Sequence, residues 1–238
     1  MNRWWVIVLL TLITYHLSPI TSWAQTSDLK SRYTKDNPLI YVDAWDLWPY
    51  VFLDDDGKPT GYNVDLLKMI FEQLGIPFEI RLKPTSNALD DLFSGRADLM
   101  MGMVASFHDH DGVHYGKNAI QLFTHSVAHV KGESHTVRSM QDLARLQVIV
   151  HDGSFSHHLM IDHGWENNAI PFGDMDKAIQ LVSADGEGQV LWNTMSLKWL
   201  IHKFHADNLV LEPVDMPSGD YRFMASDEQL LKALDDTY

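Results

Sequence analysis

The sequence predicts an α/β protein of two lobes joined by two crossing strands. Three observations carry this. The first is a repeated order of helix, glycine stop and immediate buried strand. It runs through Ala88-Leu89, Leu92, Gly95 and Asp98-Leu99 in one half, and through Ala178-Ile179, Leu181, Gly186 and Gln189-Val190 in the other. The second is a long β-like stretch at Phe123–Val130 between the halves, matched by another at Leu209–Val214. The third is what remains afterwards: a strand at Tyr221–Met224 and a helix from near Ser226, which bring the chain back to the first lobe. Two adjacent crossings make a hinge, and a cleft lies between the lobes.

In chain order, Arg3 followed by the apolar run Trp4–Tyr15 reads as a secretory leader, because the run is short for a membrane span. Ser22-Trp23-Ala24 offers small residues for cleavage after Ala24, which makes residues 1–24 a signal peptide and the location periplasmic; an uncleaved anchor is the alternative. Residues 25–37 read as a linker, 38–122 as the first part of lobe one, 123–212 as lobe two with the crossing strands, and 213–238 as the return. Leu39–Val42 is a buried strand. Asn63 is placed to cap a helix whose apolar face is Leu66, Leu67, Ile70, Phe71 and Leu74, with Gly75 as its stop. Phe78–Leu82 alternates as a strand, and Thr85 or Ser86 caps the next helix. In the second half, Gln147–His151 is a strand, residues 155–163 and 174–184 are helices, and Gln189–Trp192 leads into a helix near Ser196–Phe204.

The chain has no cysteine, so an exported protein of this length rests on an ordinary core without disulfides. A formal net charge of −14 excludes a broad basic face for nucleic acid. No nucleophile elbow, phosphate loop or paired-glycine fingerprint occurs, so no catalytic residue and no cofactor is expected.

Candidate ligand-binding residues sit where strands end. Trp45, Trp48 and Tyr50 follow the first strand, at the carboxyl end where open α/β sheets place ligands, and suit an aromatic wall. Ser154, after Gly153, opens a helix whose free N–H groups favour an anion, although a plain capping role is the commoner one for such a serine; Ser106 has the same ambiguity. Met103 and Asn193 end strands that point at the cleft. Of the 13 histidines, His108, His110 and His114 lie close together with Asp109 and Asp111. Scattered surface histidines are the plainer reading; a metal site or a shared response to acid are the alternatives.

The residues Trp48-Pro49-Tyr50, Gly57, Gly61-Tyr62-Asn63-Val64-Asp65-Leu66, Leu89, Leu92 and Gly95-Arg96-Ala97-Asp98 resemble the family 3 extracellular solute-binding proteins. Asp142-Leu143, Val148–Val150, Gly153-Ser154, Ala178 and Gly186 continue the pattern in order, over roughly residues 38–238. The resemblance implies the two-lobed periplasmic-binding-protein type 2 fold. It also implies delivery of small solutes to an ABC importer permease, or service as the outer sensor module of a membrane histidine kinase. Two departures qualify it. Members that bind amino acids carry an arginine clamp after the strand matching Leu99–Val104, where this chain has Ala105-Ser106-Phe107-His108, and an acid where this chain has Asn193-Thr194. An ordinary α-amino acid is therefore a poor ligand. The amphipathic run Leu230, Leu231, Leu234 is still in progress at Tyr238, which suggests the front of a longer sensor protein. The expected partners are a small molecule and either a kinase portion in cis or a permease, with room for a homodimer through segments beyond residue 238. An exported enzyme of the same fold, dehydratase-like, and a histidine-rich metal binder are the rival functions.

Overall fold

The structure is a computed structural model and describes residues 27–103 and 112–238. In the first lobe, helix α1 (residues 27–32) precedes β1 (Leu39–Ala44), the short strands β2 (Asp46–Leu47), β3 (Val51–Leu53) and β4 (Pro59–Thr60), and α2 (Tyr62–Leu74). Then come β5 (Phe78–Lys83), α3 (Thr85–Phe93), β6 (Met100–Met103), β7 (His114–Tyr115) and β8 (Gln121–Phe123). The second lobe holds β9 (His125–Val130), α4 (Met140–Leu143), β10 (Val148–His151), α5 (Phe155–Asp162), β11 (Ala169–Phe172), α6 (Met175–Asp185), β12 (Gln189–Asn193), α7 (Thr194–Lys203) and β13 (Leu209–Pro213). Strand β14 (Gly219–Ala225) and α8 (Glu228–Thr237) return to the first.

The first sheet runs from β5 to β1 in parallel, continues through a parallel bridge from Tyr41 to Leu99 at the entry of β6, and ends on β14, which pairs antiparallel with β6, β7 and β8. Alternation along β1 sends Tyr41 to one face, into the cluster with Leu67, Phe71, Phe223 and Leu230 beneath α2 and α8. Val42 goes to the other, with Ala88, Leu89, Leu92 and Met224 beneath α3. The second sheet has the order β11-β10-β12-β9-β13, parallel in its first three strands and antiparallel beyond.

The hinge is one antiparallel pair interrupted midway. Phe123 pairs with Gly219 on the first-lobe side and Ser126 with Pro213 on the second, so the chain crosses at Thr124 and again at residues 214–218. This is the α/β two-lobed arrangement with two crossing strands.

The structure differs from the sequence expectations in three places. Residues 27–37 are not a free linker: Leu29 and Tyr33, four apart on one face, are buried, Tyr33 Oη donates to Asp98 Oδ1 at 3.1 Å, and Arg32 Nη1 lies 2.6 Å from Asp227 Oδ2. Asn63 is not a cap. Helix α2 begins two residues earlier, after Gly61, and the Asn63 side chain turns inward, where Nδ2 donates to Tyr221 Oη at 3.2 Å. The aromatic loop after β1 carries its own small sheet, β2-β3-β4. Residues 1–26, where the leader is expected, lie outside the described residues; among those described, no helix is long and apolar enough to cross a membrane.

Candidate ligand-binding cleft

Strand ends from both sheets converge on one cavity. The first lobe contributes Asp43 and Ala44 at the end of β1, Leu47 of β2, Thr85 at the start of α3 and Met100–Gly102 of β6. The second contributes His151 at the end of β10, Gly153–Phe155 at the entry of α5, and Trp192 and Asn193 at the end of β12. The crossings add Phe123, His125 and Tyr221. With the lobes together, the void left between these residues is about 70 Å³, and it opens to solvent at its mouth.

The lobes touch around it. Asp46 reaches from β2 into the second lobe, where its Oδ1 lies 3.0 Å from His151 Nε2 and its Oδ2 accepts from the Met175 N–H at 3.2 Å, at the first turn of α6. Ser86 Oγ donates to Asp152 Oδ2 at 3.2 Å, and Ser196 Oγ donates to the Trp48 carbonyl. Lys203 Nζ stands 3.8 Å over the Trp48 ring. The arrangement is a closed cleft.

Aromatic rings dominate its walls. Phe123 stacks on Tyr221 with centroids 4.5 Å apart, His125 meets Phe155 at 5.1 Å, and His151 meets Trp192 at 4.9 Å. Beside them, Asp43 is buried in a network of donors. Tyr41 Oη and Tyr221 Oη (3.3 Å) donate to its Oδ2, with Asn63 Nδ2 at 3.5 Å, and the Ala44 N–H donates to Oδ1 at 2.7 Å.

Burial pushes the Asp43 carboxyl up to about 7, against the pull of those donors, and pushes His125 down to about 4. The same burial, with the Asp43 charge adding to it, raises the Tyr41 and Tyr221 hydroxyls well above their usual range. The signs of the two pH effects are opposite. Asp43 holds its proton more tightly in the fold than when unfolded, so its contribution is full below 3.8 and is lost as pH rises through about 7. His125 contributes fully above 6.5 and loses that contribution as pH falls through about 4. The variant Asp43→Asn removes the first effect alone. Its melting temperature minus that of the parent is expected to climb between pH 4 and 7 in a pH series of thermal melts; a flat difference would locate no titration at Asp43.

Residues 40–237 match the bacterial extracellular solute-binding proteins, family 3. The chain belongs to that family. No curated protein matches it in sequence. Among solved structures, this family 3 protein is similar to a histidine kinase sensor domain that itself resembles periplasmic binding proteins, with TM-score 0.74 and 23% identity over 87% of this chain and 90% of that one. The arginine-bound form of ArgBP from T. maritima aligns with TM-score 0.73 and 18% identity, over 89% of this chain and 97% of that one. The substrate-binding protein of an ABC uptake transporter from Streptococcus pneumoniae, with bound histidine, gives TM-score 0.72 and 15% identity over 87% of each chain. At these identities the likeness establishes the fold.

Of the candidates read from the sequence, Ser154 and Asn193 line the cavity. Both are also helix caps: Ser154 Oγ accepts from the His157 N–H at 3.4 Å, and Asn193 Oδ1 accepts from the Ser196 N–H at 2.9 Å. Trp45, Trp48 and Tyr50 are not part of the cavity wall. Trp48 turns outward to stack on Phe52 and Trp199, at centroid distances of 3.5 and 6.2 Å, and Tyr50 packs one layer behind, 4.8 Å from Phe123. The wall falls instead to Phe123, Phe155, Trp192 and Tyr221, whose positions in the crossings and at the second sheet's rim give no local signal. Met103 pairs through its backbone with Tyr221, and Ser106 lies outside the described residues.

His108 and His110 lie outside them too, and no group of three potential metal-ligating side chains occurs among the described residues. The expectation of scattered surface histidines is corrected for His125, His129 and His151, which are buried, His125 and His151 at the cleft and His129 toward the far end of β9 opposite Gln189.

Proposed function

We propose that this chain binds a small solute outside the cytoplasm by closing its two lobes, and that it serves as the sensor module of a membrane receptor. In this reading residues 1–24 are a cleaved leader, residues 38–122 with 213–238 form one lobe, and residues 123–212 form the other. The supporting observation is a cavity whose wall is assembled from both lobes and from the crossings between them. A ligand there contacts each lobe only when the cleft is shut, so it shifts the population toward the closed form.

The sensor role is supported by the position of α8. That helix packs on β14, which carries both the hinge pairing to β8 and the cavity residue Tyr221, so rotation about the hinge acts directly on it. The histidine kinase sensor domain among the similar structures gives the role a precedent. Service as the binding subunit of an importer is the second reading, favoured by the similar fold of the S. pneumoniae protein. No catalytic step is proposed.

The reading predicts that at least one compound in a library of amino acids, amines, carboxylates, sugars and aromatic alcohols stabilises the purified chain. A ligand at a hundredfold excess over its Kd contributes about 2.7 kcal/mol, which corresponds to roughly 2–4 °C of melting temperature per kcal/mol for a chain of this size. The same compound should reduce the radius of gyration in X-ray scattering. A library without a stabilising member, or stabilisation without compaction, would defeat the closure reading.

A further inference from the structure

The charges around the cavity are already accounted for by the chain itself. Among the described residues lining it there is no lysine or arginine, and residues 104–111, between β6 and β7, contain neither. Basic side chains on the strands beside it are engaged elsewhere: Arg222 of β14 holds Asp220 and the Gly116 carbonyl, and Lys83 of β5 pairs with Asp91. The one lining carboxylate, Asp43, accepts from four donors of its own lobe, while His151 faces Asp46. Among the described residues a carboxylate ligand would find no lysine or arginine here, and an ammonium would have to displace donors that already satisfy Asp43; either is costly.

Two lining side chains are left with polar atoms that have no partner among the described residues. His125 is only 5% exposed, and its Nδ1 is buried without a hydrogen bond; Thr85 Oγ1 is likewise buried and unpaired. Buried polar groups of this kind are normally satisfied.

We infer that the ligand of this cleft is an uncharged molecule with a flat aromatic body, gripped by Phe123, Phe155, Trp192 and Tyr221 and hydrogen-bonded to the His125 ring. This rests on the solute-binding reading above. It separates the chain from the arginine-bound and histidine-bound proteins of like fold, whose ligands are charged. A neutral imidazole offers one acceptor or one donor without an attached charge, and burial keeps His125 neutral at ordinary pH. A hydroxyl on the ligand serves either tautomer.

The test uses four compounds with the same phenyl ring: 2-phenylethanol, phenethylamine, 3-phenylpropionate and phenylalanine. Each is titrated into the purified chain at neutral pH and followed by thermal melting and calorimetry. The expected result is that 2-phenylethanol binds at least about tenfold more tightly than any charged member, a difference of about 1.4 kcal/mol. A charged member that binds as well, or 2-phenylethanol without effect, overturns the inference. In the first case, or if the wider library yields a charged ligand, solute binding stands and only the ligand class falls; if nothing in that library binds, both fall. His125→Leu is expected to weaken 2-phenylethanol by about tenfold, and His125→Gln, which keeps a hydrogen-bonding group, to weaken it less. Unchanged affinity in either folded variant would remove His125 from the site.

Discussion

Replacing Gly61 by alanine is expected to destabilise the chain by about 3 kcal/mol or more, the cost of a disfavoured backbone added to a hard overlap. Gly61 has φ 111°, where an L side chain is strained. A Cβ built there lies 2.5 Å from the Tyr50 carbonyl oxygen, 2.8 Å from its carbon and 2.9 Å from the Pro49 oxygen. Those oxygens cannot simply yield, because they accept from the first free N–H groups of α2: Tyr62 N donates to Pro49 at 3.3 Å and Asn63 N to Tyr50 at 2.8 Å. Moving them uncaps α2 and disturbs Asn63, which is tied to Tyr221 and so to the cavity wall. Gly57 makes the control. It also has positive φ, at 74°, but its added Cβ meets nothing within 4 Å, so Gly57→Ala should cost only about 1 kcal/mol. Urea unfolding of both variants measures the contrast. Equal losses would mean that backbone strain alone, and not the contact with the Pro49–Tyr50 carbonyls, governs Gly61.

The same loop shows why the fold was legible in the sequence while the cleft was only partly so. Helix α2 declares itself through Leu67, Ile70, Phe71 and Leu74 on one stripe and Gly75 in the left-handed conformation at its end, a local pattern that needs no partner to be read. The crossings were equally plain, since the β-like run Phe123–Val130 stands between the two halves and a second follows at Leu209–Val214. Cavity walls carry no such period. Phe123 and Tyr221 are adjacent only because β8 and β14, nearly a hundred residues apart, pair across the hinge. Trp48, conspicuous in a loop of aromatics at a strand end, was drawn outward by Phe52, Trp199 and Lys203, none of which is its sequence neighbour. Asn193 and Ser154 were found because helix starts that follow parallel strands combine a local capping signal with a fixed place at the sheet's rim. Asp43 stands at the end of β1, yet the donors that satisfy it, Tyr221 above all, come from far along the chain.

Asp46→Ala is expected to open the cleft with little effect on folding. The Asp46 carboxylate is buried and belongs to the first lobe, but its partners, His151 and the Met175 N–H, both belong to the second. Closure alone brings the three together. Removing the carboxylate leaves the Met175 N–H and the His151 imidazole in the shut interface without a counterpart, and a buried donor left unsatisfied costs about 1–3 kcal/mol. Since apparent affinity scales with the population of the binding-competent state, a cost of that size borne by closure weakens any ligand that needs the closed form by about fivefold to a hundredfold. Asp46→Asn keeps an acceptor for Met175 and loses only the charge beside His151, so its effect should be smaller. The two measurements that separate a latch from a structural contact are ligand affinity and denaturant stability of the ligand-free chain. Affinity falling while stability holds within about 1 kcal/mol, together with a larger radius of gyration, makes Asp46 the latch. If both fall in step, the lobes fold as one unit across this contact, and closure must be governed by the hinge residues Thr124 and 214–218 instead.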